Sequence, residues 1–252
     1  MDLGLSGKKA LVLGASRGLG AAAAQALAAE GVTVFAAARN VGALTPSEAI
    51  RPIQVDLADK QSIGALIETV QAEGGVDILV NNGGGPKAGP AQGQPASAWT
   101  SAFEVMALPF FAITDALIGG MIEKGWGRIL TIGSSGIVQP IPNLGLSNGI
   151  RGAIAGWSKT LANEVAPYGI TVNMIIPGRV ATDRLQELDS GKAERTGASL
   201  EDVQAASRAE IPVGRYGRPD EFGAVAAFLA SQQASYITGS IIRVDGGLIR
   251  GL

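Results

Sequence analysis

The sequence predicts a doubly wound α/β fold, a parallel seven-stranded sheet with helices on both faces. Short apolar runs rich in β-formers alternate with longer helical runs through all 252 residues. The strand runs are apolar throughout rather than at every second residue, as strands covered on both faces are. A glycine-rich turn joins the first strand to the first helix. The length suits one domain, residues 1–252. Right-handed crossovers then place a ligand at the carboxyl ends of the strands.

Element by element, ALVLG (10–14) is the first strand, and an Ala-rich helix from Gly18 to Glu30 is ended by Gly31. VTVFAAA (32–38) is the second strand, and IQV (53–55) ends the third. Asp59 caps a helix to about Glu73, and VDILVNN (76–82) is the fourth strand. One long helix is expected from about Ser97 to Lys124, followed by the strand GRILTIG (127–133). A helix over 147–166 and the strand GITVNMII (169–176) come next. A mobile, polar segment (183–210) is expected to cover the substrate as a lid, before a helix from Pro219 to Ser231 and a last strand at 240–244.

Composition removes several function classes. The 20 basic and 22 acidic side chains leave a net charge of -2, which offers nucleic acid or acidic lipid no electrostatic footing. With no Cys and no His, there is no disulfide, thiolate nucleophile or imidazole base, and no metal site is expected. The apolar stretch from Val105 to Ile122 is interrupted by Pro109, Thr114 and Asp115, so it is a poor membrane span. The N-terminus enters a strand directly, without a signal peptide's basic-then-apolar order. A cytoplasmic protein is expected.

The turn reads Gly14-Ala15-Ser16-Arg17-Gly18-Leu19-Gly20. Glycines let the backbone approach a pyrophosphate, and the helix N-terminus behind them supplies amide donors and a positive dipole. The plainer reading, a packing turn alone, loses weight because the motif sits at a strand-to-helix junction. From Gly31 to Ser47 there is no acid to bind a ribose 2′-hydroxyl. Arg39 closes the second strand instead, with Arg17 in the turn, and two guanidiniums suit a 2′-phosphate. The expected cofactor is NADP(H).

GASRGLG, NNGG, TIGSS, PGRVATD and VDGG, in that order, make the chain resemble the short-chain dehydrogenase/reductase family over nearly its whole length. GGPKAGP (84–90), QPIPNLGLSNGIR (139–151) and IPVGRYGRPDEFG (211–223) resemble its β-ketoacyl-carrier-protein-reductase-like branch with an incomplete catalytic tetrad. The resemblance implies a Rossmann-type fold. It also implies further cofactor contacts from Asp56 and Leu57 by the adenine and from Asn82, Gly83 and Gly84 by the adenosine ribose. Pro177, Gly178, Val180 and Thr182 would hold the nicotinamide amide. Leu13 replaces a Thr that usually braces the loop.

In that family a Ser, a Tyr and a Lys protonate the alkoxide left by hydride delivery, and an Asn anchors a relay water. A phenol, with a reference pKa of about 10, becomes a workable acid beside an ammonium. Aligned without gaps, this chain keeps Ser134 but has Ser147 for the Tyr, Arg151 for the Lys and Met106 for the Asn. Arg151 can hold a ribose hydroxyl and supply charge, yet it exchanges protons poorly. Ser147 is either a helix N-cap, a hydrogen-bond donor to substrate, or both. Ser134 is a strand-end hydroxyl placed to contact substrate. Tyr168, Tyr216 and Tyr236 lie outside the catalytic stretch, and Lys87, Arg179, Asp183 and Glu187 read as solvated loop charges at the pocket mouth.

Two functions remain open. One is an NADP(H)-dependent oxidoreductase acting on a small-molecule carbonyl, imine or iminium, or activated C=C, with Ser134, Ser147 and Arg151 as its catalytic set. The other is a catalytically silent NADP(H)-binding sensor or assembly protein. Non-redox use of the pocket ranks last, because the dehalogenases of this fold keep the Tyr and lose the glycine turn. A homotetramer is expected, with the helices at 97–124 and 147–166 and the C-terminal LIRGL docking on neighbours.

Overall fold

The computed structural model describes residues 2–44 and 47–251. Its sheet has seven parallel strands in the order β3-β2-β1-β4-β5-β6-β7. The strands are β1 (Lys9–Leu13), β2 (Thr33–Ala38), β3 (Ile50–Gln54), β4 (Ile78–Asn81), β5 (Gly127–Ile132), β6 (Ile170–Pro177) and β7 (Ile241–Val244). The order reverses between β1 and β4, and the carboxyl ends there open the crevice where such sheets bind ligands.

Strand residues alternate between two cores. Leu11, Leu13, Leu79 and Ile129 face α2 (Lys60–Ala72), α3 (Ala96–Met106), α4 (Leu108–Lys124) and α5 (Gly145–Val165). Ala10, Val12, Ile78 and Leu130 face α1 (Gly18–Ala29) and α8 (Pro219–Ala230). This two-sided burial is why the strands read as unbroken apolar runs. Arg128 on β5 is also buried, unforeseen in the sequence. It stacks on Trp126 at 4.3 Å and donates to the carbonyls of Ser231, Gly127 and Gly169.

Four expectations need correction. The segment 183–210 is helical: α6 (Asp183–Thr196) is capped by Thr182 and α7 (Leu200–Ala209) by Ser199, and acids in both first turns favour the dipole. The helix expected over 97–124 breaks at Ala107, and Pro109 sits where a new helix start tolerates it. The helix expected from 147 begins at Gly145 with Leu144 as N-cap, so Ser147 lies inside the first turn and caps nothing. Of the C-terminal LIRGL, Ile249 is buried in this chain's own core, and Leu252 lies outside the described residues.

By length and composition residues 96–124 could cross a membrane, since one 18-residue window within them has a mean hydropathy of 1.9. Their inner face, including Phe110, Ile113, Leu117 and Met121, packs in the core beneath the sheet.

Helices α1 and α8 cross through small residues. A Cβ on Gly223 would lie 2.6 Å from the Ala22 carbonyl oxygen and 3.2 Å from Ala26 Cβ. Gly223→Ala is expected to destabilise the fold by about 1–3 kcal/mol through overpacking, more than its gain in helix propensity returns. Chemical denaturation checks this, and an unchanged or raised midpoint would contradict it.

Candidate active site

The glycine turn is shaped by one close approach. Gly14 and Gly18 take φ of +61° and +59°, a region that favours glycine. A Cβ on Gly20 would collide with the Gly14 carbonyl and come within 2.6 Å of Asn82 Nδ2. That amide donates to the carbonyls of Leu13 and Gly14 at 3.1 and 3.2 Å. Asn82, expected beside the ribose, therefore braces the turn from the end of β4, while Leu13 is buried at the end of β1. Ser16 and Leu19 flank the bend, half-buried.

Helix α1 starts without a side-chain cap and without an acid in its first turn. Its leading amides and its dipole are thus left for an anion. Above Gly18 the nearest side-chain atom to an added Cβ is a Thr182 methyl, at 3.7 Å. A narrow groove lined by backbone, with donors at one wall, fits a dinucleotide pyrophosphate.

The residues expected at the adenosine end follow β2, β3 and β4. Arg39 is exposed just past β2 and has no ion pair among the described residues. Asp56 and Leu57 follow β3, where the Asp56 carboxylate accepts from Ala58 N and stays exposed. Gly83 is half-buried and packs tightly on the Phe110 ring, 3.3 Å from where a Cβ would sit, and Gly84 is exposed. Arg17 behaves differently from Arg39. It reaches across to α6, where Glu187 accepts from it at 3.2 Å and Asp183 lies 3.9 Å away.

The segment expected to hold the nicotinamide is fixed by backbone pairing. Gly178 N donates to Val244 O, and its Cα packs so closely on Asp245 that a Cβ would clash. Pro177 ends β6, and Val180, buried, pairs with Gly217. Arg179 is no solvated charge. It bonds the buried Asp189 carboxylate at 3.3 Å, and Tyr216 OH donates to the same carboxylate at 2.7 Å. Burial and this carboxylate push the Tyr216 phenol up from its ordinary pKa, so Tyr216 is held as a structural donor to Asp189.

At the carboxyl end of β5 the three candidate catalytic residues share one neighbourhood. Ser134 Oγ accepts from Gly136 N at 3.1 Å and so caps a 3-10 turn over 135–137. Arg151 Nη1 donates to the carbonyls of Ile132 at 3.1 Å and Gly133 at 3.4 Å. The strand end thereby draws the guanidinium inward, where desolvation, then the like charge of Arg184, lowers its pKa to about 10. It remains cationic at neutral pH. Ser147 is half-buried one turn before Arg151 on α5. Met106 is buried in the core and offers no polar atom to a water.

Sequence reasoning missed Asn148. Its amide clamps Ile141 on both sides, donating to the carbonyl at 2.9 Å and accepting from the N–H at 3.4 Å. The same loop pairs with 84–95 through Gly89 N to Asn143 O and Gly145 N to Gly89 O. The two loops thus form one preformed wall.

A crevice at the sheet's switch point and a glycine-lined groove facing an uncapped helix start are the features of a dinucleotide-binding site. The profile of the family described as Enoyl-(Acyl carrier protein) reductase matches residues 14–249. The chain is 37% identical over 254 residues to the 3-oxoacyl-[acyl-carrier-protein] reductase FabG of Salmonella typhimurium, covering 98% of this chain and 99% of that one. It is 34% identical to nodulation protein G of Azospirillum brasilense, over 97% of this chain and 99% of that protein. L-sorbose reductase from Gluconobacter frateurii, solved with NADPH and L-sorbose, superposes with a TM-score of 0.92 at 31% identity, over the whole of both chains. The chain belongs to the short-chain dehydrogenase/reductase family.

Arg39→Ala is expected to lower the preference for NADPH over NADH by about 1.5–3 kcal/mol, the value of a charge-assisted contact. Fluorescence titration with both cofactors measures this, and unchanged discrimination would refute it.

Proposed function

We propose that this chain is an NADP(H)-dependent reductase that acts on an activated small-molecule acceptor and works without the phenolic acid of its relatives. It is an oxidoreductase of the short-chain type, and its cofactor is NADP(H). The observation that carries the finer reading is at β5: an arginine bound to two strand-end carbonyls stands where an amine would. No phenol stands one turn before it.

The cofactor, when bound, supplies a hydride. The chain's own residues then position and polarise. Gly14, Ser16, Gly18 and Gly20 shape the pyrophosphate groove, and Arg39 with Arg17 faces the 2′-phosphate. Arg151 has donors beyond the one on β5 carbonyls, enough to hold a ribose hydroxyl and to stabilise negative charge developing on the acceptor. Ser134 and Ser147 offer hydroxyls to orient it, and α6 with α7 (183–210) forms the lid. The proton comes from water or arrives with the substrate.

The names of the relatives favour a carbonyl acceptor: a 3-oxoacyl thioester reductase, a sorbose reductase and a polyketide ketoreductase solved with NADPH. The missing acid favours acceptors that need none, namely an iminium, a polarised ketone or an activated C=C giving an enolate. We place the protein in the cytoplasm as a homotetramer. Exposed Val105 and Leu108 on the α3–α4 face support that assembly, as do Gly152 and Gly156 on α5, above which lies open space. A monomeric mass in light scattering at micromolar concentration would overturn the assembly.

Following NADPH oxidation over ketone, imine and enone panels tests the chemistry. Imines and activated acceptors are expected to outpace unactivated ketones. No turnover at all, with tight NADPH binding, would make the chain a silent cofactor-binding protein. With an acceptor that does not itself titrate, the rate is expected to be flat from about pH 6 to 8. Arg151 keeps its charge there, because even its lowered pKa is about 10, and no His or Cys titrates. Ser147→Ala should cost less than tenfold, since Ser147 caps nothing. A loss of about 10²–10⁴-fold would identify it as the general acid.

A further inference from the structure

We infer that Glu187 is a specificity-determining residue for the cofactor: it holds Arg17 across the dinucleotide groove and competes with the adenosine 2′-phosphate for that guanidinium. The inference rests on the NADP(H) reading above.

Arg17 closes the glycine turn, and Glu187 lies in the second turn of α6, 170 positions later. One carboxylate oxygen of Glu187 takes Arg17 Nη1 at 3.2 Å, and the other takes Arg184 Nη1 at 3.2 Å. Asp183 adds a weaker attraction at 3.9 Å. The wall of the groove beneath is narrow, since Gly18 faces Thr182, the cap of α6. The pair therefore bridges the groove from its glycine side to its lid side.

Charge and exposure decide what the bridge can do. Arg17 and Glu187 keep 61% and 47% of their side chains exposed, so the pair is weak and easily exchanged. A phosphate monoester carries close to two negative charges and presents several acceptors, which a guanidinium grips in pairs. It is the stronger partner. NADPH thus draws Arg17 away from α6, whereas NADH leaves the bridge in place. Arg39, with no ion pair among the described residues, supplies a constant attraction, and Glu187 sets how much Arg17 adds to it.

The test is a titration of NADPH and NADH against the full-length wild type, Glu187→Gln, Arg17→Ala and the double variant. Both positions are exposed, so all four proteins are expected to fold. Glu187→Gln should tighten NADPH by about two- to fivefold, the range of an exposed ion pair, and leave NADH unchanged. Arg17→Ala should weaken NADPH, and adding Glu187→Gln to it should change nothing. No tightening in Glu187→Gln would overturn the inference while leaving the NADP(H) reading intact. Tightening that persists without Arg17 would also overturn it, because Glu187 would then act by plain repulsion of the phosphate. A wild type that binds both cofactors equally would sink the NADP(H) reading, and the inference with it.

Discussion

The contact of Gly20 with the Gly14 carbonyl is the constraint on which the site depends. With no side chain at residue 20, α1 can begin directly against the end of β1, and Asn82 can lock the bend from β4. That junction aims the uncapped start of α1 at the switch point of the sheet. It also brings Arg17 within reach of α6 and leaves Arg39 at the far edge. A methyl group at residue 20 would push the helix off the strand and remove the groove.

In the proposed mechanism the same sheet end controls the chemistry. Carbonyls at the end of β5 carry partial negative charge, and Arg151 answers two of them. A guanidinium has five N–H donors in a planar fork, so it can bond the strand and still present paired donors to a ligand. The site therefore retains fixed positive charge where a reduced acceptor becomes negative. It lacks a group that gives up a proton readily near neutrality: Ser147 is an alcohol, Met106 is buried, and Tyr216 is committed to Asp189. Relatives that bear 3-oxoacyl and sugar reductase names show how the fold can be used. On the proposal made above, this chain keeps a cofactor site of the same kind and alters the proton step.

The parts legible in the sequence are those set by local chemistry. Apolar runs marked most of the strands, although β3 (IRPIQ) was marked only near its end by IQV, and glycines at a fixed spacing marked the turn, because backbone conformation and close approach select residue types directly. Asp59 was readable as a cap for the same reason. Two boundaries were missed although their signals were present. Ser199 stands three residues before Asp202, a capping pattern for α7, and Pro109 marks a fresh helix start after Ala107. Partnerships made only by tertiary structure were out of reach. Arg17 with Glu187, Arg179 with Asp189 and Tyr216, and Asn148 with the loop at Ile141 look like ordinary surface polar residues in the sequence. The fold decides which polar groups meet.

The most direct test of the account is the double variant Ser147→Tyr plus Arg151→Lys, compared with wild type on one unactivated ketone and one preformed iminium, both with NADPH. If only the acid is missing, the variant should reduce the ketone at least tenfold faster while its NADPH affinity and its rate on the iminium stay close to wild type. A wild type that already reduces the unactivated ketone as fast as the iminium would contradict the account. So would a variant that binds NADPH normally and gains nothing on the ketone.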